Sequence, residues 1–515
     1  MPQQNTAVWV EDGRIKRVGD FEELRSLAGE GVKMRDLKGR TLMPAFIDPH
    51  GHFLNYAIGL LQVSLEGCED FAEIGRRIRE FIETNQVKPG EWVIGRDYDH
   101  NYLAEHRAPA KELLDEAAPE NPVMISHQSG HMGVLNSLAL KRLGLTAQSP
   151  CPEGGRMGIK DGELTGYLEE NAFMEARRQV PLNSIEELAE AVEKAQKAYA
   201  SYGITTLQEG MMVDEIADIY QYLVNQNRLQ LDVVGYVDMD GGRRILDAFG
   251  AHREYRNHFR LGGYKIFLDG SPQGHTAWML TPYQNDEEGG CGYPALTDEQ
   301  VFERVERAVR DGRQLLAHCN GDAAARQYLG AYQKAAKTMP EAASLRPVMI
   351  HAQLVRPEDL KEFGKIGMIP SFFVAHVWHW GDIHIQSFGL ERASLISPAA
   401  SAGKLGLSYT FHQDAPVIAP DMLETVWCAV NRITKKGVKL GEEQCVSVMD
   451  ALKAVTIHAA YQYGEEGEKG SIREGKRADL VILEKNPLKA PPTEIREIKV
   501  LETIKDGETV FEKQQ

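Results

Sequence analysis

The 515-residue sequence has no apolar run approaching the roughly 20 residues that span a bilayer, so a membrane-spanning helix is excluded as an organising element. It has no Cys-x-x-Cys pair. The six cysteines, Cys68, Cys151, Cys291, Cys319, Cys428 and Cys445, are scattered and read as reduced thiols rather than a disulfide framework. No run of Lys and Arg offsets the net charge of −17, which argues against nucleic acid and anionic membrane as partners, because both attract basic surfaces. The partner expected instead is a small-molecule substrate. No Gly-rich phosphate loop follows the first apolar run, and no Gly-x-Ser-x-Gly elbow marks a serine nucleophile. Residues 1–20 alternate charged and apolar positions without a signal-peptide core, so the cytoplasm is the expected address. A homodimer is the default assembly.

What the sequence does have is a chain too long for one simple core, with the apolar and charged content of an ordinary globular protein, 43% and 26%. Its two ends are alike. A hairpin around Asp12-Gly13 opens it, and a short apolar strand over 478–483 with a second hairpin around Asp506-Gly507 closes it. Between them, eight short apolar runs occur at 43–47, 205–208, 231–236, 262–267, 314–317, 347–350, 367–372 and 407–410. Most are separated by stretches of helical periodicity, such as 184–202, 298–312 and 322–338. Strand–helix alternation repeated eight times predicts an α/β fold, a (β/α)8 TIM-type barrel. The predicted organisation is a small β-sandwich domain from residues 1–42 and 473–515, and a barrel over 43–472. The long gap between the first two strands predicts an insertion at about 54–200, placed over the barrel mouth and carrying extra strands at 91–96 and 123–126.

In such a barrel the chemistry collects at the C-terminal strand ends. The first strand runs into Asp48-Pro49-His50-Gly51-His52, and on an extended chain a His-x-His pair turns both rings to one face, where two neutral imidazoles can share a cation such as zinc. Lys265 sits on the fourth strand, His318 and His351 end the fifth and sixth, and His412-Gln413-Asp414 follows the eighth. Each has a bland alternative: a hydrogen-bonded structural histidine, a snorkelling lysine, or a capping aspartate. Their joint placement on strands 1, 4, 5, 6 and 8 favours the shared role.

These segments, with Leu316-Ala317-His318-Cys319-Asn320-Gly321-Asp322, Met349-Ile350-His351-Ala352-Gln353 and the tail Gly475-Lys476-Arg477-Ala478-Asp479-Leu480-Val481-Ile482-Leu483, resemble the amidohydrolase superfamily. The resemblance is to its amidohydrolase-3 branch, which includes formamide deformylase-like and exoenzyme-regulator-like members, and it covers nearly the whole chain. One departure is at the start, where members usually carry another strand before the first hairpin. The resemblance implies two divalent metals, zinc being the expected pair: His50 and His52 hold the first, and His318 and His351 the second. Lys265 is implied to bridge them as a carbamate derived from carbon dioxide. Asp414 is implied to bind the first metal and to handle the proton of a metal-activated hydroxide. The implied reaction is hydrolysis of a non-peptide carbon–nitrogen bond in an amide, formamide or cyclic amide. Ester or lactone hydrolysis is the rival within the same chemistry, and a non-catalytic metal-binding regulator is the rival outside it. For substrate contacts, the stretch His127-Gln128-Ser129-Gly130-His131 resembles the one that supplies a substrate-facing His, here His131. Tyr98 is a second candidate, helping to close the pocket, and His379, in an aromatic-rich loop after strand seven, is a third.

Overall fold

The computed structural model describes residues 6–28, 31–181, 183–250 and 253–513. The chain forms two compact units, one of Met1–Leu54 with Glu193–Gln515 and one of Asn55–Val192.

The first unit contains one eight-stranded sheet, whose strands we number β1 (Phe46–Ile47), β2 (Ile204–Met212), β3 (Asp232–Asp238), β4 (Phe259–Phe267), β5 (Gln314–Cys319), β6 (Val348–His351), β7 (Ile369–Phe372) and β8 (Thr410–Phe411). They pair in chain order and every pairing is parallel. Helices such as Ile185–Ser201, Asp298–Arg310 and Asp322–Ala335 make the crossovers that parallel strands require. The start of the second is fixed locally. Thr297 accepts from the Gln300 backbone N–H while the Gln300 side chain accepts from the Thr297 N–H. Ile47, Val234, Tyr236, Leu316, Val348, Ile350 and Ile369 pack into one buried cluster inside the sheet. The sheet curls until its edges meet: the His52 N–H, past β1, donates to the Ala415 carbonyl, past β8, at 2.7 Å.

The run 43–47, expected as one strand, is two. Thr41–Pro44 pairs antiparallel with Leu480–Leu483, whereas Phe46 pairs parallel with Ile204 of β2. Between them the Ala45 N–H donates to the Asp479 carbonyl, so the chain changes sheets at one residue. Apolar side chains run unbroken through this switch, partly buried in Thr41–Pro44 and fully buried in Phe46–Ile47. β8 also lies later than expected, at Thr410–Phe411 rather than 407–410.

The termini supply a four-stranded antiparallel sheet in the order Glu508–Glu512, Val500–Lys505, Leu480–Leu483, Thr41–Pro44. A separate hairpin, Ala7–Glu11 with Arg14–Gly19, turns through Asp12 (φ 50°) and Gly13 (φ 73°), the paired positive φ that a tight hairpin turn demands. Ile15 from the hairpin packs with Ala478 and Leu480 from the sheet. At the N-terminal end of the barrel strands, Asp232 is buried between Lys469, Lys505 at 3.1 Å and His258 at 2.8 Å, and Lys505 also pairs with Asp479 at 3.3 Å.

The second unit has a six-stranded mixed sheet in the order Val63–Ser64, Val93–Tyr98, Val123–His127, Met132–Leu135, Glu163–Glu170, Gly155–Lys160. Its cores gather around Ile74, Val93 and Ile125 and around Leu135, Leu140 and Phe173. Among the described residues no helix is long and apolar enough to cross a membrane.

Candidate metal centre

Residues from five strands meet in the first unit. His50 and His52 lie beyond β1, Lys265 is in β4, His318 is in β5, His351 ends β6, and Asp414 follows β8. Parallel register aligns them: Phe267 stands opposite His318 and Cys319 opposite His351. His50 Nε2 and His52 Nε2 lie 3.3 and 3.5 Å from Asp414 Oδ1, and His351 Nε2 lies 3.9 Å from Oδ2. Lys265 Nζ is 3.4 Å from His50 Nε2. The His318 and His351 ring centres are 4.6 Å apart. One ligand atom from each of His50, His351 and Asp414 falls within 4.8 Å of the others, and all three residues are buried. His-x-His works differently from expectation, since both residues lie past the strand and not on it. His52 forms an isolated bridge with Glu209 of β2, and the two rings still converge, with centres 5.3 Å apart.

The backbone at two donors is held in the left-handed region, His351 at φ 68° and Asp414 at φ 54°. For residues other than glycine that geometry costs on the order of 1–3 kcal/mol and persists where the surroundings enforce it.

Electrostatics favours a cation. Burial pushes the imidazoles down, His52 to about 3 and His50 and His351 well below the ordinary value, so they stay neutral and keep a lone pair. Burial lowers Lys265 to about 8, with Asp414 acting against it, and raises Asp414 to about 7. Lys265 is fully buried and makes no ion pair among the described residues. Asp414 Oδ1 is buried with no hydrogen-bond partner among the described residues. A carboxylate oxygen without a donor, facing neutral imidazole nitrogens, is a donor set that a divalent metal satisfies.

Three further residues contact these histidines. Gln208 of β2 faces His50 Nδ1 with Oε1 at 2.7 Å, while its own Nε2 donates to the Pro49 carbonyl at 2.6 Å. His50 Nδ1 therefore carries the proton and Nε2 is free. Asp269 Oδ1 lies 3.1 Å from His318 Nδ1, and its carboxylate also accepts from the backbone N–H groups of Asn320, Gly321 and Trp278. The third is His412, within 3.1 Å of His351. Sequence reading assigned none of them a role. Gln208 was within reach of the strand-end argument, since it closes the expected second strand; His412 stands inside the quoted His412-Gln413-Asp414 run, and Asp269 lies just past the expected fourth strand.

Of the candidate substrate contacts, one lies in the first unit and two in the second. His379 is on the helix His376–Ser394 rather than in a loop, with Nε2 3.1 Å from Glu424 Oε1. Aromatic residues among the histidines disguise a helix start. Tyr98 and His131 belong to the second unit. Tyr98 is fully buried in that unit's core, against the His127 ring. His131 is exposed, with Nδ1 3.0 Å from Glu170 Oε2.

The model of the amidohydrolase family matches this chain over residues 33–511. The chain belongs to the amidohydrolase family. It is accordingly a metal-dependent hydrolase acting on carbon–nitrogen bonds other than peptide bonds. It is 28% identical to the Arabidopsis thaliana protein LONG AFTER FAR-RED 3, over 93% of this chain and 83% of that one. It is 26% identical to the N-substituted formamide deformylase of Arthrobacter pascens, over 98% and 95%. A solved metal-dependent hydrolase from Pyrococcus horikoshii shares the fold, with TM-score 0.75 and 24% identity over 94% of each chain.

The amidohydrolase site also constrains β2. A Cβ added at Gly210 would lie 2.8 Å from both the Gly51 carbonyl oxygen and His50 Cε1. A Gly210→Ala variant is expected to fold, at a cost of about 1–3 kcal/mol, but to bind less metal, because one of the displaced atoms belongs to His50, a candidate ligand. Elemental analysis beside a thermal melt checks this; a full metal complement would contradict it.

Proposed function

We propose that the chain hydrolyses an amide, formamide or cyclic amide of small-molecule size at a two-metal centre. The observation that carries the reading is the buried convergence of His50, His351 and Asp414, with His52 and Lys265 beside them. His50 and His52 would hold one metal with Asp414, and His318 and His351 the other; zinc suits imidazole and carboxylate donors. Lys265 would join the pair as a carbamate. Its amine nitrogen bonds to the carbon of carbon dioxide and releases a proton, a step open to a buried lysine whose proton is already held loosely. When bound, such a metal pair supplies Lewis acidity toward a carbonyl and lets water give up a proton near neutral pH.

The chain's own groups do the rest. Asp414 takes the proton of the attacking water and returns it to the departing nitrogen, a role suited to a carboxyl raised to about 7. Gln208 and Asp269 keep His50 and His318 in the tautomer with Nε2 unprotonated. Amide-type substrates are favoured over esters by the full-length similarity to an enzyme named for N-substituted formamides. His131, Tyr98 and His379 are retained as proposed substrate contacts. The cytoplasmic address and the two-fold assembly belong to the same proposal.

The test is a hydrolysis assay on zinc-loaded, bicarbonate-treated protein with matched amides, formamides, cyclic amides, esters and lactones. Turnover of amide-type substrates with release of the amine is expected. Turnover of esters and lactones alone would overturn the substrate class, and none at all would point to a metal-binding regulator.

A further inference from the structure

Each histidine proposed to ligate through Nε2 needs an acceptor for the proton on Nδ1, since a neutral imidazole has one N–H and one lone pair. Gln208 accepts from His50 and Asp269 from His318. For His351 the group in that position is another imidazole. His351 Nδ1 lies 3.1 Å from His412 Nε2, and His412 Nδ1 lies 2.9 Å from Ser371 Oγ of β7. All three residues are buried, so water does not compete for these contacts.

The direction of this chain follows from its outer end. His351 Nε2 faces Asp414. If His412 donated to His351 Nδ1, Nε2 would carry the only proton and could not ligate. We infer that His412 is a positioning residue: it accepts the His351 Nδ1–H, donates its own Nδ1–H to Ser371 Oγ, and so fixes the tautomer and ring orientation in which His351 offers Nε2 to a metal. The inference rests on the reading of His351 as a ligand. It gives His412 a role separate from its neighbour Asp414. It also explains why a histidine is buried just past β8 with no carboxylate partner among the described residues, its polar contacts running to His351 and Ser371. Acceptors of this kind typically contribute 10–100-fold to metal affinity.

The experiment loads apo-protein with cobalt(II) against a chromophoric competitor and records the affinity of both equivalents and the visible absorption spectrum. Wild type is compared with His412→Leu, His412→Gln, Ser371→Ala and His351→Ala. His412→Leu is expected to weaken one equivalent by about 10–100-fold and to alter its spectrum. His412→Gln, whose amide oxygen can accept in the same place, is expected to recover most of the loss, and Ser371→Ala to fall between. Equal losses in the Leu and Gln variants would reduce His412 to packing and overturn the inference, as would no loss in either. A His351→Ala variant that keeps both equivalents would instead overturn the ligand reading beneath it.

Discussion

An Asp414→Asn variant is expected to lose about 10²–10⁴-fold in kcat on any amide-type substrate the wild type hydrolyses, while keeping most of its metal. The amide side chain preserves size and one ligating oxygen but cannot take and return a proton. Oδ1 is within 3.5 Å of both His50 and His52 and has no hydrogen-bond donor among the described residues, so the substitution should alter chemistry more than architecture. Steady-state kinetics with elemental analysis of the same preparation separates the two effects. Loss of metal in proportion to activity would make Asp414 a ligand alone.

The second large effect is on stability and lies at the other end of the barrel. Burial pushes the Asp232 carboxyl up, but Lys469 and Lys505, with His258, overcome this and hold it well below the usual carboxylate range. An Asp232→Asn variant would leave two buried ammonium groups short of a counter-charge, at an expected cost of about 3–5 kcal/mol. Because Lys505 comes from the C-terminal sheet and Asp232 from β3, the loss should appear as an earlier urea transition of the barrel. An unchanged midpoint would show that Asp479, paired with Lys505, and Glu465, 3.0 Å from Lys469, suffice to neutralise the lysines.

Much of this was legible in the sequence because it is periodic. Eight apolar runs alternating with helical stretches require parallel strands, and all eight strands are found, most within a few residues of the expected bounds. The convergence of His50, His52, Lys265, His318, His351 and Asp414 was legible for a related reason, since strand ends in this fold face one pocket. What failed was local. The switch at Ala45 is invisible to hydrophobicity, because Leu42 and Met43 before it are as apolar as Phe46 and Ile47 after it, although only the latter pair is fully buried. The helix at His376 is hidden because its aromatic and histidine content resembles a binding loop. Gln208, Asp269 and His412 were passed over because their work is done on other side chains. A glutamine inside an apolar strand shows no periodic signal, and its meaning appears only when Pro49 and His50 are seen on either side of its amide.

The most direct test of the central claim is the metal content per chain of protein purified without chelator, wild type beside Lys265→Ala. Two equivalents in the wild type, falling to one or fewer in the variant and restored only when lysine and bicarbonate are both present, is the predicted result. A wild type that holds no metal after incubation with zinc and bicarbonate, or a variant that holds as much as the wild type, would contradict a lysine-bridged two-metal centre.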